Sequence, residues 1–240
     1  YVYGANNPLK YVDPSGMISL NIAGGLANLA AQHIPGAAEV LQGLSMFDLF
    51  VKLKKNPLVF VHGYNSEWTM WKDLLVKLTG DEAINELAQR FDAKGATEED
   101  KKAVLQEVQE RLKKKNIYVF DYSMMKGGKE SPDIVGKEFA KFLKDNKLGA
   151  NTNVVTHSMG GLVAREAIEF NDIKLNKLLM ISPPNQGSPL AQTLTTTAMA
   201  AQVVGTASGH TEVVVAGMAM EYAINEFAPA LNYMTPGSGG

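Results

Sequence analysis

The stretch at residues 154–161 constrains the fold more than any other part of the chain; it reads Val-Val-Thr-His-Ser-Met-Gly-Gly. Apolar β-branched residues lead into one serine, Ser158, and a glycine pair follows it. The next run, 162–168, has the apolar spacing of an amphipathic helix. This order predicts a buried strand, a sharp turn and a helix. A serine on so tight a turn is expected to have a strained backbone that lifts its hydroxyl clear of the sheet.

This stretch resembles the nucleophile elbow of α/β-hydrolases, whose pattern is G-x-S-x-G. Gly160 matches the small residue two positions after the serine, and Gly161 lets the helix pack closely. Thr156 stands where the pattern has its first glycine. The resemblance implies that Ser158 is the nucleophile and that the N–H of Met159 is one donor of the oxyanion hole. The alternative is that these residues are only the end of a strand.

A second landmark is Leu-Val-Phe-Val-His-Gly at residues 58–63, which predicts a buried strand. It resembles the lipase strand that begins the oxyanion loop, and this resemblance implies that the N–H of Tyr64 is the second donor. Gly63 permits a close approach of the backbone to the substrate. Ser66 is predicted to cap the following helix. Trp68, on the apolar face of that helix, is interpreted either as lining an acyl pocket or as a core residue.

A third landmark follows the strand predicted at 177–181, where the chain reads Ser-Pro-Pro-Asn-Gln-Gly-Ser-Pro at 182–189. It resembles the lipase loop that passes over the active site, which places Asn185 among the predicted substrate-binding residues. The segment at about 190–232 is rich in small residues, methionine and valine and predicts two helices. In lipases these helices form a cap that meets the lipid surface; ordinary helix packing is the alternative.

Other periodic segments complete the predicted fold. Helices are predicted at 81–91, at 97–115 with Thr97 as the N-cap, and from 131 onward, and a strand at 117–122. Strands that alternate with helices indicate an α/β fold with a mostly parallel sheet. The resemblance refines this to an α/β-hydrolase with flanking helices and a helical cap, which we expect to be incomplete at its C-terminus. Asp121 and Asp133 are expected to be structural.

A serine hydrolase of this type also needs a base and an orienting acid, which follow the elbow in the order acid, then histidine. The chain has four histidines. His62 and His157 lie inside the motifs and His33 precedes the domain, so His210 is the histidine that follows the elbow. Either His210, near Glu212, is an unusual base, or the true acid and histidine lie beyond residue 240. The second interpretation is favoured, and it predicts a catalytically impaired fragment.

The first sixteen residues are dense in turn formers and tyrosine and read YVYGANNPLKYVDPSG. They resemble the end of the core of Rhs or YD-repeat proteins. In that family a variable toxin domain begins just past this signature and is often released by self-cleavage. The family usually has leucine after the final glycine, where this chain has Met17. The predicted organisation is therefore an Rhs core end at 1–16, a helical linker at 17–55 and the hydrolase-like domain at 56–240.

Composition narrows the function classes further. A net charge of −2 argues against a nucleic-acid-binding surface, and the lack of cysteine excludes thiolate chemistry. No metal-ligand motif or phosphate loop appears, so no metal or cofactor is expected. The resemblances together imply a lipase or phospholipase that is secreted or delivered into a target cell. Lipid, a membrane surface, the Rhs shell and an immunity protein are the implied partners. The rival hypothesis is an inactive hydrolase-like binding or structural module of the shell.

Overall fold

Four short apolar runs form one parallel sheet. They are β1 (Leu58–Val61), β2 (Ile117–Phe120), β3 (Asn153–His157) and β4 (Lys177–Ile181). The strands lie in the order β2-β1-β3-β4, and each neighbouring pair is parallel. In the register, Val61 is level with both Phe120 and Thr156, and His157 is level with Ile181. The prediction of a mostly parallel α/β sheet is confirmed.

This computed structural model describes residues 46–185 and 187–234. The predicted Rhs core end at 1–16 lies outside these residues, as do His33, most of the predicted linker at 17–55 and the last six residues. The described part of the linker forms helix α1 (Met46–Leu53).

Helices cover both faces of the sheet. On one face lie α1, α2 (Lys72–Thr79), α3 (Ala83–Phe91) and α4 (Glu98–Lys113), together with a 3-10 turn (Trp68–Trp71). On the other face lie α5 (Pro132–Asp145) and α6 (Gly160–Phe170). A second 3-10 turn (Lys126–Gly128) precedes α5. Parallel sheets are stable when both faces are buried, and the continuous apolar strands of this chain fit that requirement.

The alternation of side chains along β1 shows how the two layers divide the core. Leu58 and Phe60 pack on the α1–α4 face, whereas Val59 and Val61 pack on the α5–α6 face; all four are fully buried. Successive strand residues point to opposite faces, so one four-residue strand contributes to both cores. β1 therefore sits at the centre of the molecule.

The strand order creates a reversal between β1 and β3. The chain passes from β1 to β2 on one side, then crosses back to place β3 on the other side of β1. The loops that leave the carboxyl ends of β1 and β3 thus run to opposite faces. In open α/β sheets, ligands bind at the carboxyl edge at such a switch point. In this chain the predicted site motifs follow β1 and β3.

Two residues are predicted to be helix N-caps, and the structure shows the start of each helical segment. Thr97 is the N-cap of α4 as predicted, and it forms a capping box with Asp100. The prediction that Ser66 caps a helix is wrong: the first turn begins after Glu67, and the Ser66 hydroxyl donates to the Met70 sulfur at 3.5 Å. The N–H of Trp68 instead donates to a carboxylate oxygen of Asp121 at 2.6 Å. A residue from β2's loop therefore replaces the local cap.

The segment after β4 forms the two predicted helices and a third, short one. These are α7 (Pro189–Ser208), α8 (Thr211–Phe227) and α9 (Pro229–Tyr233). Gly205 and Gly217 let α7 and α8 approach closely: a Cβ on either glycine would lie within 3 Å of backbone atoms of the partner helix. We call α7 and α8 the helical hairpin. Among the described helices, none is long and apolar enough to cross a membrane.

Candidate active site

Ser158 stands at a sharp corner between β3 and α6. Its φ is +51°, in the left-handed region that residues other than glycine rarely adopt. The backbone N–H of Ser158 donates to the carbonyl of Ile181 at 2.8 Å, which fixes the corner to the end of β4. Helix α6 begins two residues later at Gly160. The sequence forms this corner because an extended apolar run passes directly into a helix.

Two glycines allow the corner to sit against the end of β1. A Cβ on Gly160 would lie 2.4 Å from the carbonyl oxygen of His62, and a Cβ on Gly63 would lie 2.9 Å from the Cβ of Ser158. Contacts this short are sterically forbidden, so neither position accepts a side chain without movement. Thr156, where the elbow pattern has glycine, is fully buried, and its hydroxyl has no hydrogen-bond partner among the described residues. The loops after β1 and β3 therefore touch each other beside Ser158.

The two predicted oxyanion donors lie on these touching loops. Tyr64 follows Gly63, and Met159 follows Ser158 as the residue that precedes α6. Within the described chain, neither backbone N–H donates a hydrogen bond. The first N–H groups of a helix lack partners within that helix, and the positive end of the α6 dipole points at the same place. The arrangement is able to stabilise negative charge on an oxygen near Ser158. Burial raises the pKa of the Tyr64 phenol.

A buried cluster holds the loop after β1, the predicted oxyanion loop, in place. The Nδ1 atom of His62 lies 2.9 Å from the Gly63 carbonyl oxygen, and its Nε2 atom accepts the Tyr122 N–H at 3.0 Å. The Tyr122 hydroxyl donates to the His62 carbonyl at 2.9 Å, and the two rings stack with centroids 3.9 Å apart. No sequence pattern around Tyr122 indicates this role. Both ring nitrogens of His62 are thus engaged in structural contacts.

Asp121 is the charged member of this cluster. Its side chain is fully buried, and it accepts hydrogen bonds from the N–H of Trp68 and from both the N–H and the hydroxyl of Ser123. Burial acts to raise the pKa of Asp121, but the His62 ring and the Ser123 donors outweigh it, so the pKa lies below its ordinary value. The carboxylate fastens the loop after β1 to the loop after β2, in agreement with the predicted structural role.

The remaining described histidines differ in position. His157 precedes Ser158 and is half-buried, and its Nδ1 atom has no partner among the described residues. Burial lowers the pKa of His157, and the nearby His62 lowers it further, which favours the neutral ring. His210 lies at the tip of the helical hairpin, with Nδ1 3.1 Å from Glu212 and 65% of its side chain exposed. The twenty residues of α7 separate that tip from the loop after β4, a rise of about 30 Å.

The two predicted substrate-binding residues lie in different surroundings. Trp68 is fully buried, and its ring meets the Phe91 ring edge-on with centroids 5.8 Å apart, so its observed environment is that of the core alternative. Asn185 lies half-buried in the loop after β4 and accepts a hydrogen bond from the Arg165 guanidinium at 3.3 Å. Asn185 therefore lies on the carboxyl side of the sheet, where the Ser158 corner also lies.

The groups available at this edge are the Ser158 hydroxyl and, on the adjoining loops, two N–H groups that have no acceptor in the described chain. Across residues 46–185 and 187–234, no group of three or more histidine, aspartate or glutamate side chains gathers in a way that suits a metal ion. In comparisons with known proteins, no protein-family model matches the chain, and no curated protein matches it at a significant level.

Proposed function

We propose that this chain carries a serine ester hydrolase of the α/β-hydrolase type, acting on lipids as a lipase or phospholipase. Ser158 is the proposed nucleophile, and the N–H groups of Tyr64 and Met159 form the proposed oxyanion hole. The observation that carries the proposal is the left-handed backbone of Ser158 between a parallel strand and a helix. Backbone strain is costly and is concentrated at functional sites, so the left-handed backbone supports a functional role for the Ser158 side chain.

The position of the corner in the sheet supports the same proposal. Ser158 follows β3 and Tyr64 follows the end of β1, and these strands flank the point where the strand order reverses. A substrate carbonyl bound there is within reach of a hydroxyl from one loop and N–H groups from two loops. Acyl transfer requires this combination, because the tetrahedral intermediate places negative charge on the former carbonyl oxygen.

The biological setting is proposed from the sequence alone. Residues 1–16 resemble the end of an Rhs core, which supports a hydrolase tail delivered as a toxin and an immunity protein as its partner. The lipid substrate is supported by the composition of the helical hairpin. Met199, Val203 and Met218 are each more than half exposed there, and residues 189–227 contain no lysine or arginine. Flexible thioether side chains suit contact with varied acyl chains.

Labelling of the full-length protein with a fluorophosphonate probe tests this function. We expect covalent labelling that is lost in Ser158→Ala. Ser182→Ala is the matched control, because Ser182 also has a left-handed backbone, with a φ of +50° at the end of β4. Labelling that persists in Ser158→Ala, or that disappears equally in the control, would contradict the assignment of the nucleophile. Unmodified wild-type protein from the same preparation would then be assayed on esters of increasing chain length.

A second candidate function is an inactive hydrolase-like binding or structural module of the Rhs shell. It is favoured by the histidines of the described chain, because His62 is engaged in structural contacts and His210 lies at the far end of α7. A base for Ser158 is required for rapid acyl transfer. Folded full-length protein that reacts with neither the probe nor any ester would support this candidate over the first.

A further inference from the structure

An open cavity of about 690 Å³ lies beside the proposed oxyanion loop. It is lined by the loop after β1 with the 3-10 turn that follows, by the loop after β2, and by the first turn of α4 with the residues that lead into it. Its main polar residues are Asn65, Ser66, Glu67, Thr69, Glu98 and Lys101. Asn65 and Ser66 directly follow Tyr64 in the chain, so the two residues after a proposed oxyanion donor line this cavity. Its volume is in the range of small-molecule sites.

Both lysines at this cavity already have partners within the chain. The Nζ atom of Lys101 lies 3.4 Å from a carboxylate oxygen of Glu67 and 4.7 Å from the centroid of the Phe91 ring. Lys126, which precedes the lining residue Gly127, directs its Nζ atom to the carbonyl oxygen of Glu226 at 2.6 Å. A phosphate group in the cavity would have to compete with these partners for positive charge.

Three of the backbone donors around the cavity already have acceptors. The N–H of Asn65 donates to the Gly128 carbonyl at 3.0 Å, and the N–H of Gly128 donates to the Met125 carbonyl at 2.9 Å. The N–H of Ser123 donates to Asp121. An anion would therefore find neither an uncommitted lysine in the lining nor these N–H groups, and it would face the carboxylates of Glu67 and Glu98. Like charges at short range disfavour its binding.

The groups that remain suit uncharged hydroxyls. Carboxylates accept hydrogen bonds, hydroxyls both donate and accept, and an amide offers both functions on one side chain. Ser66 and Thr69 hold only long bonds, at 3.5 Å to the Met70 sulfur and 3.4 Å to Asp92, which are exchanged readily for a ligand hydroxyl. Met70 and Met124 supply apolar surface within the same lining.

We propose that this cavity binds the neutral, hydroxyl-rich alcohol part of the ester substrate, a glycerol or sugar moiety. The inference rests on the proposed hydrolase function and makes its substrate class narrower. A substrate would place its ester carbonyl against Ser158 and extend its polyol toward Glu67 and Asn65. An alcohol part that carries a phosphate is disfavoured by the committed cations and by the two carboxylates. The enzyme is accordingly a hydrolase of polyol esters.

The test is a titration of the full-length Ser158→Ala protein, in which methionine methyl groups are followed by NMR. Glycerol and methyl glucoside are the neutral probes, and they distinguish the two polyol sources; glycerol 3-phosphate is the anionic probe. We expect saturable shifts of the Met70 and Met124 methyls with at least one neutral probe. The phosphate should bind about tenfold more weakly. Tighter binding of the phosphate, or no saturable shift with either polyol, overturns the inference.

A variant that neutralises one carboxylate of the cavity tests the role of charge in its selectivity. Glu67→Gln removes an acceptor and releases Lys101, so polyol affinity should fall while glycerol 3-phosphate affinity rises. Glu99→Gln is the matched control, because this exposed glutamate on α4 lies outside the lining and should change neither affinity. Unchanged selectivity in Glu67→Gln overturns the inference. Probe labelling reports on Ser158 alone, so unlabelled protein that still binds polyols would separate failure of the hydrolase proposal from failure of this one.

Discussion

At the scale of single residues, the absence of a side chain at Gly160 determines whether the Ser158 corner forms. A Cβ there would lie 2.4 Å from the His62 carbonyl oxygen and 3.0 Å from that of Val61. We expect Gly160→Ala to lower the free energy of unfolding by about 1–3 kcal/mol, because backbone must move to admit the methyl group. Urea denaturation measures this loss.

Gly149→Ala is the control for that measurement. A Cβ on Gly149 would meet nothing within 4 Å, and its φ is not positive. Its free energy of unfolding should change by less than about 1 kcal/mol. Equal losses in the two variants would mean that close packing at the corner is not what requires Gly160.

The contribution of Asp121 to the free energy of unfolding is expected to depend on pH. Asp121→Asn should cost about 1–3 kcal/mol at neutral pH, because buried donors from Trp68 and Ser123 lose a charged acceptor. The folded-state pKa lies below that of the unfolded chain, so the carboxylate stabilises the fold at every pH above about 4. That contribution is lost as the pH falls through the folded-state pKa.

The measurement is chemical denaturation as a function of pH. The stability difference between wild type and Asp121→Asn should be constant from neutral pH to about pH 5 and shrink in more acidic solution. Asp145→Asn, an exposed aspartate at the end of α5, serves as the control and should show no such difference. A gap that widens on acidification would contradict the assigned direction of the pKa shift.

Single residues also differ in how far their place in the site can be predicted from the sequence. The corner at Ser158 was predictable because a strand pattern, a serine and a glycine pair are consecutive in the sequence. The partnership of His62 with Tyr122 was not, because sixty residues separate them and only the pairing of β1 with β2 brings them together. A tyrosine that follows a strand and an aspartate carries no local signal of that contact.

At the scale of elements, long-range contacts explain the failed helix cap. Ser66 has the right residue type for a cap, but the Asp121 carboxylate takes the N–H of Trp68 from across the sheet. A buried carboxylate is a stronger acceptor than a hydroxyl, so it replaces the local candidate. Thr97, on an exposed helix start far from such competitors, keeps its predicted capping box. Local patterns predict elements best where no distant residue competes.

The contact between the two helices of the hairpin is expected to depend on Gly217. Gly217→Ala should weaken the contact of α8 with α7, because a Cβ would lie 2.8 Å from the Ala198 carbonyl oxygen. Alanine favours the helix itself by about 1 kcal/mol over glycine, so any loss of stability comes from the contact. Hydrogen exchange should accelerate for amides of the hairpin. The amides of β1 and β3 are the internal control, and uniform acceleration across the chain would contradict a local effect.

At the scale of the whole molecule, the chain separates its polar and apolar surfaces. Charged residues cluster on the helices of the α1–α4 face, where α4 alone contains nine, whereas α7 contains none. The hairpin follows the β4 loop, so its apolar surface is attached directly to the carboxyl edge of the sheet. Under the proposed function, a lipid held at the hairpin would be delivered to the edge that carries Ser158. This arrangement unites the proposed lipid contact and the proposed chemistry in one region.

Membrane contact through the hairpin is the prediction at this scale. Met199 and Met218 are 61% and 56% exposed, and burial of a methionine side chain contributes about 1.5–3 kcal/mol. Met199→Glu with Met218→Glu should therefore reduce binding to zwitterionic phosphatidylcholine vesicles at least about tenfold, since tenfold corresponds to 1.4 kcal/mol. Cosedimentation with vesicles measures the bound fraction.

A control variant and the dependence of binding on salt distinguish apolar from electrostatic contact with the membrane. Phe170→Glu introduces the same charge at an apolar residue that is 70% exposed but lies at the end of α6, and binding should persist in this variant. The hairpin has no lysine or arginine, so its binding should neither increase with anionic lipid nor weaken in high salt. If binding depends on anionic lipid or is lost equally in Phe170→Glu, the apolar hairpin is not the surface that contacts the membrane.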